Sequence, residues 1–205
     1  AFTGNIVGNA TFNDSSYNTG NITGDITLNT DYYSGITQTG NTLNISSGSS
    51  WAGEVSGNVY NSDNTEITNW TFSGTGSNQG TINGNATFNN TAPFTMGTIN
   101  GTATLNGFAQ TIQGVNNIAN LTKQSTNRDT LYLTSGSVVN VSGLLILSGA
   151  SQNTLLTIRS VTPGSHANLN INGSSTLDFL RIKDIYNTTS LDVSSKTIFD
   201  DGGNS

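Results

Sequence analysis

Ten residues, Gly80-Thr81-Ile82-Asn83-Gly84-Asn85-Ala86-Thr87-Phe88-Asn89, return 17 positions later as Gly97-Thr98-Ile99-Asn100-Gly101-Thr102-Ala103-Thr104-Leu105-Asn106. Earlier copies begin at Gly4 and Gly20, and a shortened one at Gly53. Self-similarity at a fixed period constrains a fold more than any local propensity, because each copy must repeat the same structural solution. Within the phrase, apolar residues alternate with small polar ones, the period of a strand with one face buried. Gly, Asn and Asp accept positive φ at low cost, so they are expected to supply the corners. A unit this short cannot bury its own apolar face, whereas stacked units can.

The expected fold class is therefore all-β: a parallel β-helix or β-solenoid with rungs of about 16–17 residues in the amino-terminal half. Its stacking core would contain Ile6, Phe12, Ile22, Leu28, Ile82, Phe88, Ile99 and Leu105. Asn13, Asn29, Asn89 and Asn106 recur at one repeat position, where stacked amides would form a ladder capping that core. The stretch from Ser34 to Asn78 keeps the composition but loses the register, so distorted rungs or long loops are expected there.

After Gly114 the apolar clusters become denser, and Leu131, Leu155 and Phe179 recur every 24 residues. Larger coils of about 22–24 residues follow from that spacing. Two regions result, 1–113 with short rungs and 114–205 with larger coils, the second continuous with the first. The only place where a short helix fits is Val115 to Leu121, at the change of period.

Charge narrows the function. Charged residues make up 9% of the 205, and all six basic residues follow position 120. The first 122 residues hold six acids and no base, so nucleic-acid binding through clustered Lys and Arg is not expected. The longest apolar run, Leu144 to Leu147, is far short of a membrane span, so no membrane insertion is expected. Cysteine is absent, which removes disulfides and thiolate metal sites. No basic, apolar leader opens the chain. A mature extracellular or cell-surface chain, its signal peptide removed, suits this composition.

The phrase "GTINGNATFN" and the later run "LTSGSVVNVSGLLILSGASQNTLLTIRSVTPG" resemble repeat-rich surface proteins encoded in environmental bacterial genomes. The later texture is also similar to right-handed parallel β-helices of the pectin-lyase-like group. That architecture carries lyases, adhesins and inert stalks alike, so the resemblance implies a fold rather than an activity.

Catalytic constellations are sparse. Arg181-Ile182-Lys183 resembles the substrate-binding tripeptide of polygalacturonases, and Asp200-Asp201 their paired aspartates. The order is inverted relative to that family and its Gly-His-Gly is missing, the single histidine being His166 in "GSHAN". No catalytic residue is assigned, and an enzyme is not expected. Asp178, Arg181, Lys183 and Asp184 read as outward charges alternating with inward Phe179 and either Leu180 or Ile182. Asp200 and Asp201, followed by Gly202, Gly203 and Asn204, are weak candidates for a Ca2+ site; no other cofactor is expected. A threonine array of the ice-binding kind does not hold, because Thr102-Ala103-Thr104 is Asn85-Ala86-Thr87 one copy earlier. Twelve Asn-x-Ser/Thr acceptors make the chain a candidate glycoprotein.

The function these features suit is structural: a stalk, filament subunit or adhesin segment, with copies of itself or other cell-surface proteins as partners. No amphipathic capping helix precedes "AFTGNIVG", so end-to-end β-stacking into head-to-tail polymers is the expected assembly. The alternative is a carbohydrate-binding or polysaccharide-cleaving β-helix, its groove lined by Trp51, Trp70, Tyr32, Tyr33 and Tyr186.

Overall fold

The computed structural model describes residues 4–13, 21–22, 26–29, 33–38, 42–45, 51–55, 58–61, 70–74, 77–78, 81–82, 84–90, 92–188 and 197–204. For 12–70 and 73–74 it describes the backbone alone. Among these residues the chain is all-β and contains no helix. Every strand pairing is parallel. Among the described residues the one antiparallel contact is an isolated bridge between Ser151 and Thr154.

Three sheets result. A five-stranded amino-terminal sheet runs from Ala10–Asn13 to Ser77–Asn78, and a five-stranded carboxy-terminal sheet from Thr111–Ile112 to Ile198–Asp200. A 13-stranded long sheet runs beside both. The chain alternates, leaving a flanking sheet for the long sheet and returning one strand further on. Parallel neighbours need a crossover; in this chain strands of the other sheet supply it.

Repeat copies lie beside each other in register. Ile82 pairs with Ile99, Ala86 with Ala103 and Phe88 with Leu105. Phe12 likewise pairs with Leu28, and Asn13 with Asn29. The described residues between Ser34 and Asn78 lie in paired strands. Tyr33–Gln38 pairs with Trp51–Val55, which pairs with Trp70–Gly74, and only one irregularity, between Ser34 and Ile36, interrupts them.

Alternation places the core. In Ala86–Asn90 and Asp129–Leu133 every second residue is buried, and one cluster of buried side chains continues from Phe72 to Ile185. The rings of Phe72 and Phe88 stack with centroids 4.7 Å apart, and Phe94 continues the stack at 5.0 Å. Each fully buried ring contributes about 2–3 kcal/mol of apolar transfer.

Three expectations are corrected. Val115–Gln124 is a ten-residue strand, not a helix, because its alternation buries Asn116, Ile118, Leu121 and Lys123. Leu131, Leu155 and Phe179 do not form a column: Leu131 pairs with Ile158 and Ile158 with Ile182. The tight turn at Ser151–Thr154 adds three residues to that coil, and Phe179 occupies a left-handed corner at φ 51°. Coil length consequently varies, with pairings 24 residues apart at Leu121–Leu145 but 30 apart at Val141–Ile171.

The expected positive φ is found at Gly8 and Gly97 of the repeat phrase and at Gly114, but other glycines act differently. Gly101, Gly143 and Gly173 have no positive φ. They are needed because successive corners touch: a Cβ on Gly101 would run into the Gly84 carbonyl, and one on Gly173 into the Gly143 carbonyl. Gly164, by contrast, has φ 77° and open space around it. Gly173→Ala should therefore cost ~2 kcal/mol or more through forced backbone displacement, and Gly164→Ala only ~1 kcal/mol through its left-handed conformation. Urea unfolding of the two variants checks the order; equal losses would refute the close-approach account.

Candidate functional site

Of the anticipated stacking core, Ile82, Phe88 and Ile99 are fully buried and Leu105 is 1% exposed. Ile6 is partly buried and packs on the same cluster. Phe12, Ile22 and Leu28 lie in strands, with side chains outside the described set. Asn13 and Asn29 are strand partners, while Asn89 and Asn106 are exposed.

The amide ladder that the structure displays runs through other asparagines. Asn140 Nδ2 donates to Asn117 Oδ1 (2.9 Å) and Asn170 Nδ2 to Asn140 Oδ1 (2.8 Å). Inside the core, Asn78 donates to the Met96 carbonyl (2.7 Å), and Asn116 accepts from the Met96 amide (2.6 Å). The one-residue phase of a strand, which the repeat alone does not mark, decides which asparagines face which column. Thr71, Thr87, Thr104 and Thr122 also stack, but the column is one threonine wide.

Tyr32 lies outside the described residues. Tyr33, Trp51 and Trp70 are strand residues: Tyr33 pairs with Trp51, and Trp70 shares its register position with the buried alanines Ala86 and Ala103. Tyr186 is 39% exposed in the strand Ile185–Tyr186, on the long sheet. Tyr186 does not line the groove described below. His166 is exposed, and its carbonyl accepts from Gly136 N.

At the carboxy-terminal end, Asp200 Oδ1 accepts from Gly202 N (2.7 Å) and Asn204 Nδ2 (2.5 Å), closing the turn on itself. Asp201 forms an exposed pair with Arg181 Nε at 3.5 Å. Asp184, which the sequence places outward, is 3% exposed at φ 56°. Leu180 is buried and Ile182, on the same face, packs partly buried against the core, while Phe179 is taken up by the corner. Among the described residues no group of three or more His, Asp or Glu side chains could hold a metal ion.

The chemistry the sequence did not reveal is a buried ion pair. Lys123 Nζ lies 2.8 Å from Asp129 Oδ2, with both side chains nearly excluded from solvent. The ammonium also donates to the Gly107 carbonyl (2.7 Å) and Gln110 Oε1 (3.2 Å), which satisfies its three protons. Asp129 Oδ1 accepts from Ala109 N (2.8 Å) and Thr130 N (2.6 Å), while Gln110 Nε2 donates to the Phe88 carbonyl (2.9 Å). Residues 107–109 are thus held from both sides, with Ala109 at φ 50°. A signal was available: Lys123 and Asp129 alternate in phase with the buried Leu121 and Leu131.

Held on that segment, Phe108 stands 67% exposed beside a groove of about 440 Å³. Arg128, Asp129, Thr130, Tyr132, Thr157 and Arg181 are among its other lining residues. Thr130, Thr157 and Arg181 are partners on three successive strands of the carboxy-terminal sheet. Arg128 Nε donates to the Asn153 carbonyl at 2.9 Å.

Comparison of the chain with family models, curated proteins and solved structures returns no match. Among the described residues no helix is long and apolar enough to cross a membrane.

Removing one partner of a buried pair leaves the other charge uncompensated. Lys123→Met should destabilise the protein by ~3–5 kcal/mol. Adding Asp129→Asn, which keeps an acceptor for Ala109 and Thr130, should restore part of that loss. A double-mutant cycle by denaturant unfolding measures the coupling, and strictly additive losses would contradict it.

Proposed function

We propose that the chain is a parallel β-solenoid that serves as a structural element outside the cell or on its surface, a stalk or filament subunit. The observation that carries this reading is the in-register pairing of each repeat with its own copy, Ile82 on Ile99 and Phe88 on Leu105. A strand stack of this kind is extended by adding strands to its ends, and no reacting group is needed for that role. The polar surface supports the same reading, since it carries columns of Asn and Thr and only 9% of the residues are charged.

Assembly by end-to-end strand pairing follows from the edges. Among the described residues Ile198–Asp200 pairs on one side only, with Leu180–Lys183. Such an edge is a template for a further parallel strand from a second copy.

Electron microscopy of the purified chain over a concentration series tests this. Filaments with an axial repeat of one stacked subunit are expected, and fibre diffraction should give the ~4.8 Å strand spacing along the axis. Particles that stay short and monodisperse at every concentration would refute the polymer.

A further inference from the structure

We propose that the groove beside Phe108 is a binding site for an anionic saccharide, one bearing carboxylate or sulfate groups. The inference goes beyond the structural role and does not depend on it.

The first argument is charge placement. With Lys123 neutralised by Asp129, four basic side chains remain among the described residues: Arg128, Arg159, Arg181 and Lys183. Arg159, Arg181 and Lys183 alternate with the buried Ile158, Ser160 and Leu180, so they share the outer face of the carboxy-terminal sheet, and Arg128 adjoins it at the groove. Arg159 and Lys183 are direct strand partners. Like charges opposite each other are destabilising, and a chain with 9% charged residues had ample room to avoid the arrangement. Of the acids nearby, Asp129 lines the groove but is neutralised by Lys123, and Asp200 is engaged in its own turn. Asp201 meets Arg181 at 3.5 Å with both groups about half to a third exposed, a pair that solvent largely screens and a ligand anion can displace.

The second argument is the aromatic rim. A large apolar ring left two-thirds exposed is ordinarily free to fold down onto the surface. Phe108 is held out instead, because the Gly107 carbonyl is bound by Lys123 and the Ala109 amide by Asp129. Ala109 is one of only three non-glycine residues with positive φ among those described, and such strain concentrates where a ligand is clamped. A fixed ring face beside hydroxyl and amide groups suits the mixed apolar and polar faces of a sugar. Successive strands lie about 4.8 Å apart, so the column Thr130, Thr157, Arg181 spans about 10 Å, the length of one or two sugar rings. Arg181 at the far end and Arg128 near Phe108 would each take an anion, bidentate where a guanidinium edge is open. Arg181 enters by its place in the groove wall; Lys183, the other cation of its strand, is not part of that wall.

The test is titration calorimetry of the full chain with three hexasaccharides: alginate (carboxylates), heparin (carboxylates and sulfates) and neutral cellohexaose. Binding of at least one anionic hexamer, weakened by salt and absent for cellohexaose, is expected. Binding of alginate identifies the carboxylate as sufficient; binding of heparin alone identifies the sulfate. Arg181→Ala and Phe108→Ala should each weaken binding about tenfold with unchanged thermal unfolding, as both side chains are largely exposed. Arg181→Lys should lose affinity too, since an ammonium cannot make the bidentate contact. The proposal is overturned if neither anionic hexamer binds, if cellohexaose binds equally well, or if Phe108→Ala and Arg181→Lys bind like the unaltered chain. None of these outcomes bears on whether filaments form.

Discussion

Parallel in-register pairing puts each residue about 4.8 Å from its counterpart on the next strand, and most features of this chain follow from that distance. A side chain is acceptable at a given position only if it tolerates its neighbour in the same column. Phenylalanine stacks on phenylalanine, and asparagine bonds to asparagine through complementary ends of one amide. Glycine corners permit carbonyls to come where a Cβ would otherwise stand. Charge is the side-chain property that stacks worst, because a column of like charges repels at every step. The low charged content is thus a consequence of the architecture rather than a separate trait.

Among the described residues charge enters the core at Asp184, whose Oδ2 is buried without a hydrogen-bond partner, and as a closed set at Lys123 and Asp129. Lys123 and Asp129 sit where the amino-terminal flanking sheet has ended and the carboxy-terminal one begins. The ammonium, the carboxylate, Gln110 and the carbonyls of Phe88 and Gly107 tie three consecutive coils together. A pair of this kind adds little net stability over an apolar substitute, but it is costly to leave half made. Its effect is to fix register at the transition, where the repeat no longer does so.

How much of this was legible depended on distance along the chain. The phrase at Gly80 and Gly97 announced its own strand pairing, because both partners carry the same letters in the same order. The 24-residue spacing of Leu155 and Phe179 misleads, since the turn at Ser151–Thr154 shifts the pairing by three residues, from Leu155 to Ile158. Val115–Leu121 looked helical only because its inward positions include an asparagine, Asn116, whose amide is satisfied by backbone groups of Met96, Gln113 and Gly114. The groove was invisible, being assembled from corners and strand faces that the sequence separates by more than 70 residues, from Phe108 to Arg181. No periodicity marks such a place; only the turn that holds Phe108 outward creates it.

The corner glycines carry a consequence for how such a chain can change. Because Gly84, Gly101, Gly143 and Gly173 satisfy a contact between adjacent coils and nothing beyond, a coil can be gained or lost whole without disturbing any but its immediate neighbours. The amino-terminal stack is therefore free to vary in length by duplication of a single short unit. Among the described residues the buried ion pair and the groove beside it have no second copy, so they cannot be gained or lost in this way.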